Sequence, residues 1–325
     1  MNTQTPLWRQ VQRKNFVNLT VLADYLELTK EQRSRLIQDK KFTLNLPHRL
    51  AAKIQKANLE DPILRQFLPL NDEEISVEGF ISDPLQEKLF RKKTKLLHKY
   101  EGRALLVTTQ ACAMHCRYCF RRHFEYQQEE KLFKEELQAL RDDPSIEEVL
   151  LSGGDPLSLE QSHLEYLVSS IDAIPHVKRL RFHTRFPIGI PERIDAAFLN
   201  MLELLRVQVW FVIHCNHSNE LDEDNLAALN RIQRLGIPVL NQAVLLKGVN
   251  DDFNTLHALC SRLINYGIFP YYIHQLDRVQ GAAHFEVDEQ RGKQLITELV
   301  AMMPGYGVPK YVREVPAAPS KVSIV

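Results

Sequence analysis

The chain predicts an α/β fold: an open, partial (β/α)6 barrel behind an N-terminal, mainly helical extension. Three observations lead there. Between residues 104 and 303, apolar and β-branched runs of strand length alternate with segments of helical periodicity. There are six such pairs, two short of a closed eight-stranded barrel. Polar clusters fall at the C-terminal ends of the runs, where α/β folds gather ligands. Strands joined through helices imply right-handed crossovers and a parallel sheet. A doubly wound sheet is the alternative.

Residues 1–96 form the extension. Leu46-Pro47-His48-Arg49-Leu50 opens one apolar-periodic segment and Asp61-Pro62 another. The basic run 91–99 reads as a solvated helix face. Residues 97–304 form the barrel, beginning with a strand at 104–109 and a helix at 129–141. The run 148–152 is a strand that stops at Gly153-Gly154. Ser158 and Gln161 have capping-box spacing ahead of Leu164, Leu167, Val168 and Ile171, which recur at helical spacing. A strand at 179–183 precedes a helix from about Glu192. Strands at 207–214, 238–246 and 269–275 then alternate with helices at 222–235, 252–266 and 288–303. Residues 305–325 form a short C-terminal segment.

Composition sets limits. With 44% apolar and 25% charged residues, the 325-residue chain is neither collagen-like, disordered nor a disulfide scaffold. Its 41 basic and 41 acidic residues cancel, which argues against a dedicated nucleic-acid or anionic-membrane partner. No run approaches the ~18–20 apolar residues of a membrane helix, and the N-terminus lacks a signal-peptide core. A cytoplasmic location is expected. Five cysteines then read as ligands, catalysts or core fillers and not as disulfides.

Three of them cluster as Cys112, Cys116 and Cys119, a C-x3-C-x2-C spacing. Thiolates are soft ligands for iron–sulfur clusters, zinc or copper(I). Three thiolates on a four-iron cluster leave one iron open to a small molecule. A zinc site completed by His115 or His123 is the competing reading. Cys260 falls on the stripe Leu256, Leu259, Cys260, Leu263 and reads as core, as does Cys215 at a strand end.

The triplet resembles the radical S-adenosylmethionine (radical SAM) signature, which makes the expected barrel radical-SAM-type. From Leu97 to the C-terminus the chain resembles the lysine 2,3-aminomutases. The resemblance runs through His98-Lys99-Tyr100, Arg103, the cysteines with Arg121-Arg122, and Gly153-Gly154-Asp155-Pro156. It continues in His183-Thr184-Arg185, His214, the stretch from Asn241-Gln242 to Asn250-Asp251, Asp277 and His284-Phe285. It implies a 4Fe–4S cluster, S-adenosylmethionine and pyridoxal 5′-phosphate (PLP). Together these move the amino group of lysine from the α to the β carbon.

The resemblance also assigns residues. Cys112, Cys116 and Cys119 hold the cluster. Gly153, Gly154 and Asp155 receive the methionine end of S-adenosylmethionine, with His214 a further contact. Counting from Val308-Pro309 makes Lys321 the lysine that holds PLP. Lys99, Tyr100, Arg103 and Gln242 occupy PLP-contact positions, and a phosphate wants such cations and donors. Arg121 takes the substrate carboxylate. Asp277 and Glu314 take its distal ammonium, a pair that favours lysine over glutamate.

Three departures stand out. Ala317, Ala318, Pro319 and Ser320 replace a Gly-rich segment before Lys321, and Glu314 replaces an Asp. Asp252 stands where longer members have a zinc-ligating Cys, so no structural zinc is expected. The short form is similar to the subgroup that converts (S)-α-lysine to (R)-β-lysine for modification of elongation factor P. That implies L-lysine as substrate, an external electron donor, and a functional link to elongation factor P and its β-lysine ligase. Neither membrane nor nucleic acid is an expected partner, and a homo-oligomer is left open. The alternatives are a 2,3-aminomutase for another amino acid and, more remotely, a zinc-binding regulatory module.

Overall fold

The computed structural model describes residues 5–39, 41–126, 132–316 and 318–325. Among them, ten strands make one sheet whose spatial order is the chain order. The strands are β1 Arg91–Lys93, β2 Leu96–Tyr100, β3 Arg103–Thr109, β4 Glu148–Gly153 and β5 Arg179–Thr184. They continue as β6 Gln208–Ile213, β7 Val239–Val244, β8 Phe269–His274, β9 Lys310–Arg313 and β10 Val322–Ser323. From β3 to β9 every neighbour is parallel. Antiparallel pairs finish both ends, so the sheet stays open.

The extension carries four short helices, α1 Leu7–Gln12, α2 Leu19–Tyr25, α3 Lys30–Ser34 and α4 His48–Ala51. The barrel adds α5 Lys134–Asp142, α6 Gln161–Asp172, the turn α7 Phe186–Gly189, and α8 Ala196–Glu203. Then come α9 Glu223–Gln233, α10 Phe253–Asn265 and α11 Glu289–Met302. Helices α5, α6, α8, α9, α10 and α11 follow β3 to β8 one by one, giving the six expected units. Apolar stripes account for their packing. Helix α6 buries Leu164, Leu167, Val168 and Ile171, and α10 buries Leu256, Leu259, Cys260 and Leu263. Cys215 is fully buried as well. One core joins Trp8 and Phe67 of the extension to Leu106 and Phe182 of the barrel. No helix among the described residues is long and apolar enough to cross a membrane.

Several local expectations change. The basic run 91–99 is the β1–β2 hairpin, because Leu96 and Leu97 bury themselves by pairing with Leu106 and Leu105. Non-local pairing here overrides a helix-compatible composition. Ser158 does not cap α6: its Oγ is buried without a partner, and Glu160 precedes the helix without a side-chain cap. Instead Asp155 caps the 3-10 turn Pro156–Ser158. The helix expected from Glu192 starts at Ala196 behind the Asp195 cap, because Pro191 starts a separate 3-10 turn. The helix expected at 129–141 is observed as Lys134–Asp142, and residues 129–131 lie outside the described ones. Strand β9 was not expected as a strand; it carries the chain from α11 back to the sheet.

Strand alternation positions the site. On β5, Leu180, Phe182 and Thr184 are buried on one side. Arg179, Arg181 and His183 face the concave side. The same period of two presents Glu148, Leu150 and Ser152 from β4, and Trp210 and Val212 from β6.

Candidate active site

A cavity of about 940 Å³ occupies the concave face. Each candidate residue lines it: Cys112, Cys116, Cys119, Gly153, Gly154, Asp155, His214, Gln242, Asp277, Glu314 and Lys321 among them. Lys99, Tyr100, Arg103 and Arg121 complete the set. Segments more than 200 residues apart in sequence converge because β2 and β9 stand at opposite ends of one curved sheet, and the contact Lys99–Glu314 spans 215 positions.

The cysteines lie on the loop after β3, free and partly buried. The extension grips that loop. Asn45 donates to the Cys112 carbonyl at 3.1 Å. Arg117, wholly buried, donates to both Glu73 oxygens at 2.7 and 2.6 Å and to the Phe42 carbonyl at 2.6 Å. Arg122 shares Glu73 at 2.6 Å, and both arginines reach Asp39. Burial, then the charges of neighbouring groups, push the Cys112 thiol up, and burial with the Cys116 charge pushes Cys119 to about 11. A polycationic centre reverses that balance and deprotonates its thiols.

The imidazoles of the zinc alternative turn elsewhere. His115 contacts the Thr43 carbonyl at 2.8 Å and His123 the Gln280 carbonyl at 3.1 Å. Among the described residues no three His, Cys, Asp or Glu groups converge on one ion position. A multi-iron cluster does not require that, since each thiolate meets its own iron. The soft donor set on one cavity wall fits such a group.

Gly153 and Gly154 bring the loop after β4 against the cysteine loop. Gly153 sits at φ +111. A Cβ on Gly154 would stand 2.4 Å from the Ala111 carbonyl oxygen, so only glycine permits this approach. The Asp155 carboxylate is committed to protein donors. It accepts from the Thr184 hydroxyl at 2.7 Å and from the Leu157, Arg185 and Phe186 N–H groups. Burial raises it to about 6 against those hydrogen bonds.

At the C-terminal segment, Glu314 gathers three donors. Lys321 Nζ donates to Oε2 at 2.7 Å, while Lys99 Nζ at 2.6 Å and the Tyr100 hydroxyl share Oε1. Burial opposes ionisation, but the Lys321 charge and these hydrogen bonds hold the carboxyl at about 2. Arg103 stacks on the Tyr100 ring at 4.5 Å. Asp277 lacks such compensation. Burial lifts it to about 7, with Lys321 opposing and Glu314 adding to the rise.

Arg121 is already paired. Its Nε and Nη2 meet the two Glu87 oxygens at 2.9 and 2.6 Å, and Nη1 donates to Ser152 Oγ at 3.0 Å. Burial, then the Arg185 charge, lowers His214 to about 4. His183 and His274 are likewise held neutral, each with a buried Nε2 that has no partner among the described residues.

Glu87, Arg181, His183, Arg185 and His274 were not assigned a role from the sequence. The period of two in Arg179-x-Arg181-x-His183 was a usable signal for a polar inner face. Glu87 gave none, because it reaches the site from a 3-10 turn in the extension.

Comparisons with known proteins add the following. Residues 100–221 match a family model described as a 4Fe-4S single cluster domain. The L-lysine 2,3-aminomutase of Escherichia coli (strain K12) is 43% identical over 288 residues, covering 88% of this chain and 84% of the relative. That of Haemophilus influenzae is 39% identical over 318 residues, 97% and 94% of the two chains. That of Clostridium subterminale is 32% identical over 323 residues, 98% and 77%. A radical SAM methyltransferase from Sphaerobacter thermophilus superposes with a TM-score of 0.48 at 17% identity, covering 69% of this chain and 71% of the other.

Proposed function

Because this chain belongs to the lysine 2,3-aminomutase family, isomerases that use a 4Fe–4S cluster, S-adenosylmethionine and PLP, we propose that it converts (S)-α-lysine to (R)-β-lysine by 2,3-amino migration. One observation carries the proposal: the three thiols and Lys321 line a single cavity of about 940 Å³. When bound, the cofactors supply the radical and carry the migrating nitrogen, which side chains alone cannot do.

The chain's residues bind and orient. Cys112, Cys116 and Cys119 would hold the cluster. The backbone at Gly153-Gly154-Asp155, together with His214, would receive S-adenosylmethionine. Lys321 would hold PLP, with Lys99, Tyr100, Arg103 and Gln242 as further contacts. Arg121 meets Glu87 side-on and gives one Nη1 hydrogen to Ser152. Nη1 also reaches the Gly153 carbonyl at 3.5 Å, so a substrate carboxylate would take Arg121 by replacing that long contact, and arginine's forked donors suit such recognition. Glu314 keeps Lys99 and Tyr100 on Oε1; its Oε2, held here by Lys321, would be open to the substrate's distal ammonium with Lys321 committed to PLP. Asp277 lines the same cavity and feels the charges of Lys321, Glu314 and Lys99. Two acids there favour a diamino acid over glutamate.

In this reading residues 1–96 brace the cysteine loop, residues 97–304 form the radical SAM barrel, and residues 305–325 deliver Lys321 and Glu314. The likeness of residues 308–321 to the elongation factor P subgroup supports the reading that another enzyme attaches its β-lysine to that factor, in the cytoplasm.

Substrate profiling tests the proposal. The reconstituted protein, without oxygen and with a reductant, is offered lysine, ornithine and glutamate separately, and products are resolved on a chiral column. (R)-β-Lysine as the main product supports it; equal or better turnover of glutamate contradicts it.

A further inference from the structure

Arg185 stands at the point where the cysteine loop meets the barrel, and its role is not explained by substrate or PLP binding. Its Nη1 lies 2.8 Å from Cys116 Sγ and also donates to the Tyr118 hydroxyl. Its Nη2 donates to Gln66 Oε1 at 2.7 Å and to Glu220 Oε2 at 2.6 Å. The plane lies over Phe67, 4.8 Å from the ring centre. The side chain is 7% exposed and that of Glu220 is 0% exposed.

The frame around this guanidinium is buried and pairs both terminal nitrogens, while Nε has no partner among the described residues. Glu220 Oε1 accepts from the Asn216 N–H at 2.9 Å, the His217 N–H at 3.0 Å and Gln66 Nε2 at 3.2 Å. Asn216 also donates to the Tyr118 hydroxyl at 2.6 Å and to Gln66 at 3.0 Å. The extension, the cysteine loop, the β5 end and the β6 loop therefore all fix one cation against one thiol.

We infer that Arg185 is a positioning residue that tunes how readily the three-thiolate centre accepts an electron, and that Glu220 limits its effect. The inference rests on the reading that these cysteines hold a cluster. Hydrogen bonds to ligating sulfurs stabilise the more negative, reduced state and raise the potential. A full positive charge in a dry surrounding does so more strongly, because little solvent screens it. The Glu220 carboxylate cancels part of that charge. Removing Arg185 and removing the Glu220 charge should then act in opposite directions, which general loosening of the loop would not do.

The test uses wild-type protein and the Arg185→Gln, Arg185→Lys and Glu220→Gln variants. Each is reconstituted with iron and sulfide, assayed for iron, and titrated with dithionite and mediators. The reduced cluster is followed by electron paramagnetic resonance in the absence of S-adenosylmethionine. The expected midpoint falls below wild type for Arg185→Gln, rises above it for Glu220→Gln, and stays nearer wild type for Arg185→Lys than for Arg185→Gln. Unchanged midpoints at full iron content, or shifts of the same sign, overturn the inference. If Arg185→Gln fails to retain iron, Glu220→Gln decides: a rise supports the inference, and no change or a fall overturns it. A wild-type protein with no reducible cluster would overturn the site reading and this inference together. A wild-type cluster with insensitive midpoints overturns this inference alone.

Discussion

Lys321 Nζ and Glu314 Oε2 meet at 2.7 Å, seven residues apart in sequence and on opposite sides of the β9–β10 connection. The pair makes the C-terminal segment a closing piece of the cavity. Lys99 and Tyr100 hold the same carboxylate from β2. Glu314 thus ties the two distant ends of the open sheet together through one side chain.

Replacing Glu314 with Ala should leave Lys99 and Lys321 half-buried without their counter-charge. Breaking such a pair costs about 3 kcal/mol, at the low end of the buried range because Lys321 is 26% exposed. The carboxyl is held at about 2, below its ordinary 4.5. Its contribution is therefore full above pH 4.5 and is lost as pH falls toward 2. Urea unfolding at several pH values checks this: the gap between wild type and Glu314→Ala should be widest near neutrality and shrink below pH 4.5. A constant gap would contradict it.

Asp277 behaves in the opposite sense. Burial raises it to about 7, so in the free protein it is neutral below that pH and ionised above it. Attraction for a substrate ammonium should appear as pH rises through about 7. The kcat/KM for lysine should climb over that interval, since this parameter reports the free enzyme. Asp277→Asn should lower kcat/KM by at least tenfold and flatten that limb. A limb that persists unchanged in Asp277→Asn would sink the assignment.

Gly154→Ala places a methyl 2.4 Å from the Ala111 carbonyl, so backbone must move. Overpacking of this kind costs roughly 1–3 kcal/mol. The displaced segment is the cysteine loop itself. The variant should show both a lower melting temperature and reduced iron content after reconstitution. Normal iron content with normal stability would contradict the close approach.

Glu73→Gln tests the brace from the extension. Arg117 and Arg122 both lean on this carboxylate, and its removal leaves two buried guanidinium groups to share Asp39. A loss of about 3–5 kcal/mol is expected. Faster proteolysis within the cysteine loop should accompany it in limited-digestion time courses. An unchanged digestion pattern would show that the loop does not depend on the extension.

Much of this was legible in the sequence because its signals are local. The stripe of α10 and the run of β6 each lie within one short window, so period alone identified them. The C-x3-C-x2-C spacing likewise needed no tertiary information. The misreadings share the opposite property. Leu96 and Leu97 become a strand only because β3 offers a partner. Asp155, not Ser158, caps a turn because Pro156 starts a 3-10 segment there. Glu87 reaches Arg121 across 34 positions with no periodic pattern to mark it. The pairing of Arg185 with Cys116 spans 69 positions and joins two loops.

In the proposed reaction the thiols and Lys321 act together in one cavity. The most direct test is formation of β-lysine from L-lysine by anaerobically reconstituted protein, compared with Cys116→Ala and Lys321→Ala. (R)-β-Lysine is expected from the wild type and none from either variant. Lys321→Ala should keep its iron and Cys116→Ala its bound PLP. Product from Lys321→Ala at the wild-type rate, or no product from a wild type carrying both cofactors, would contradict it.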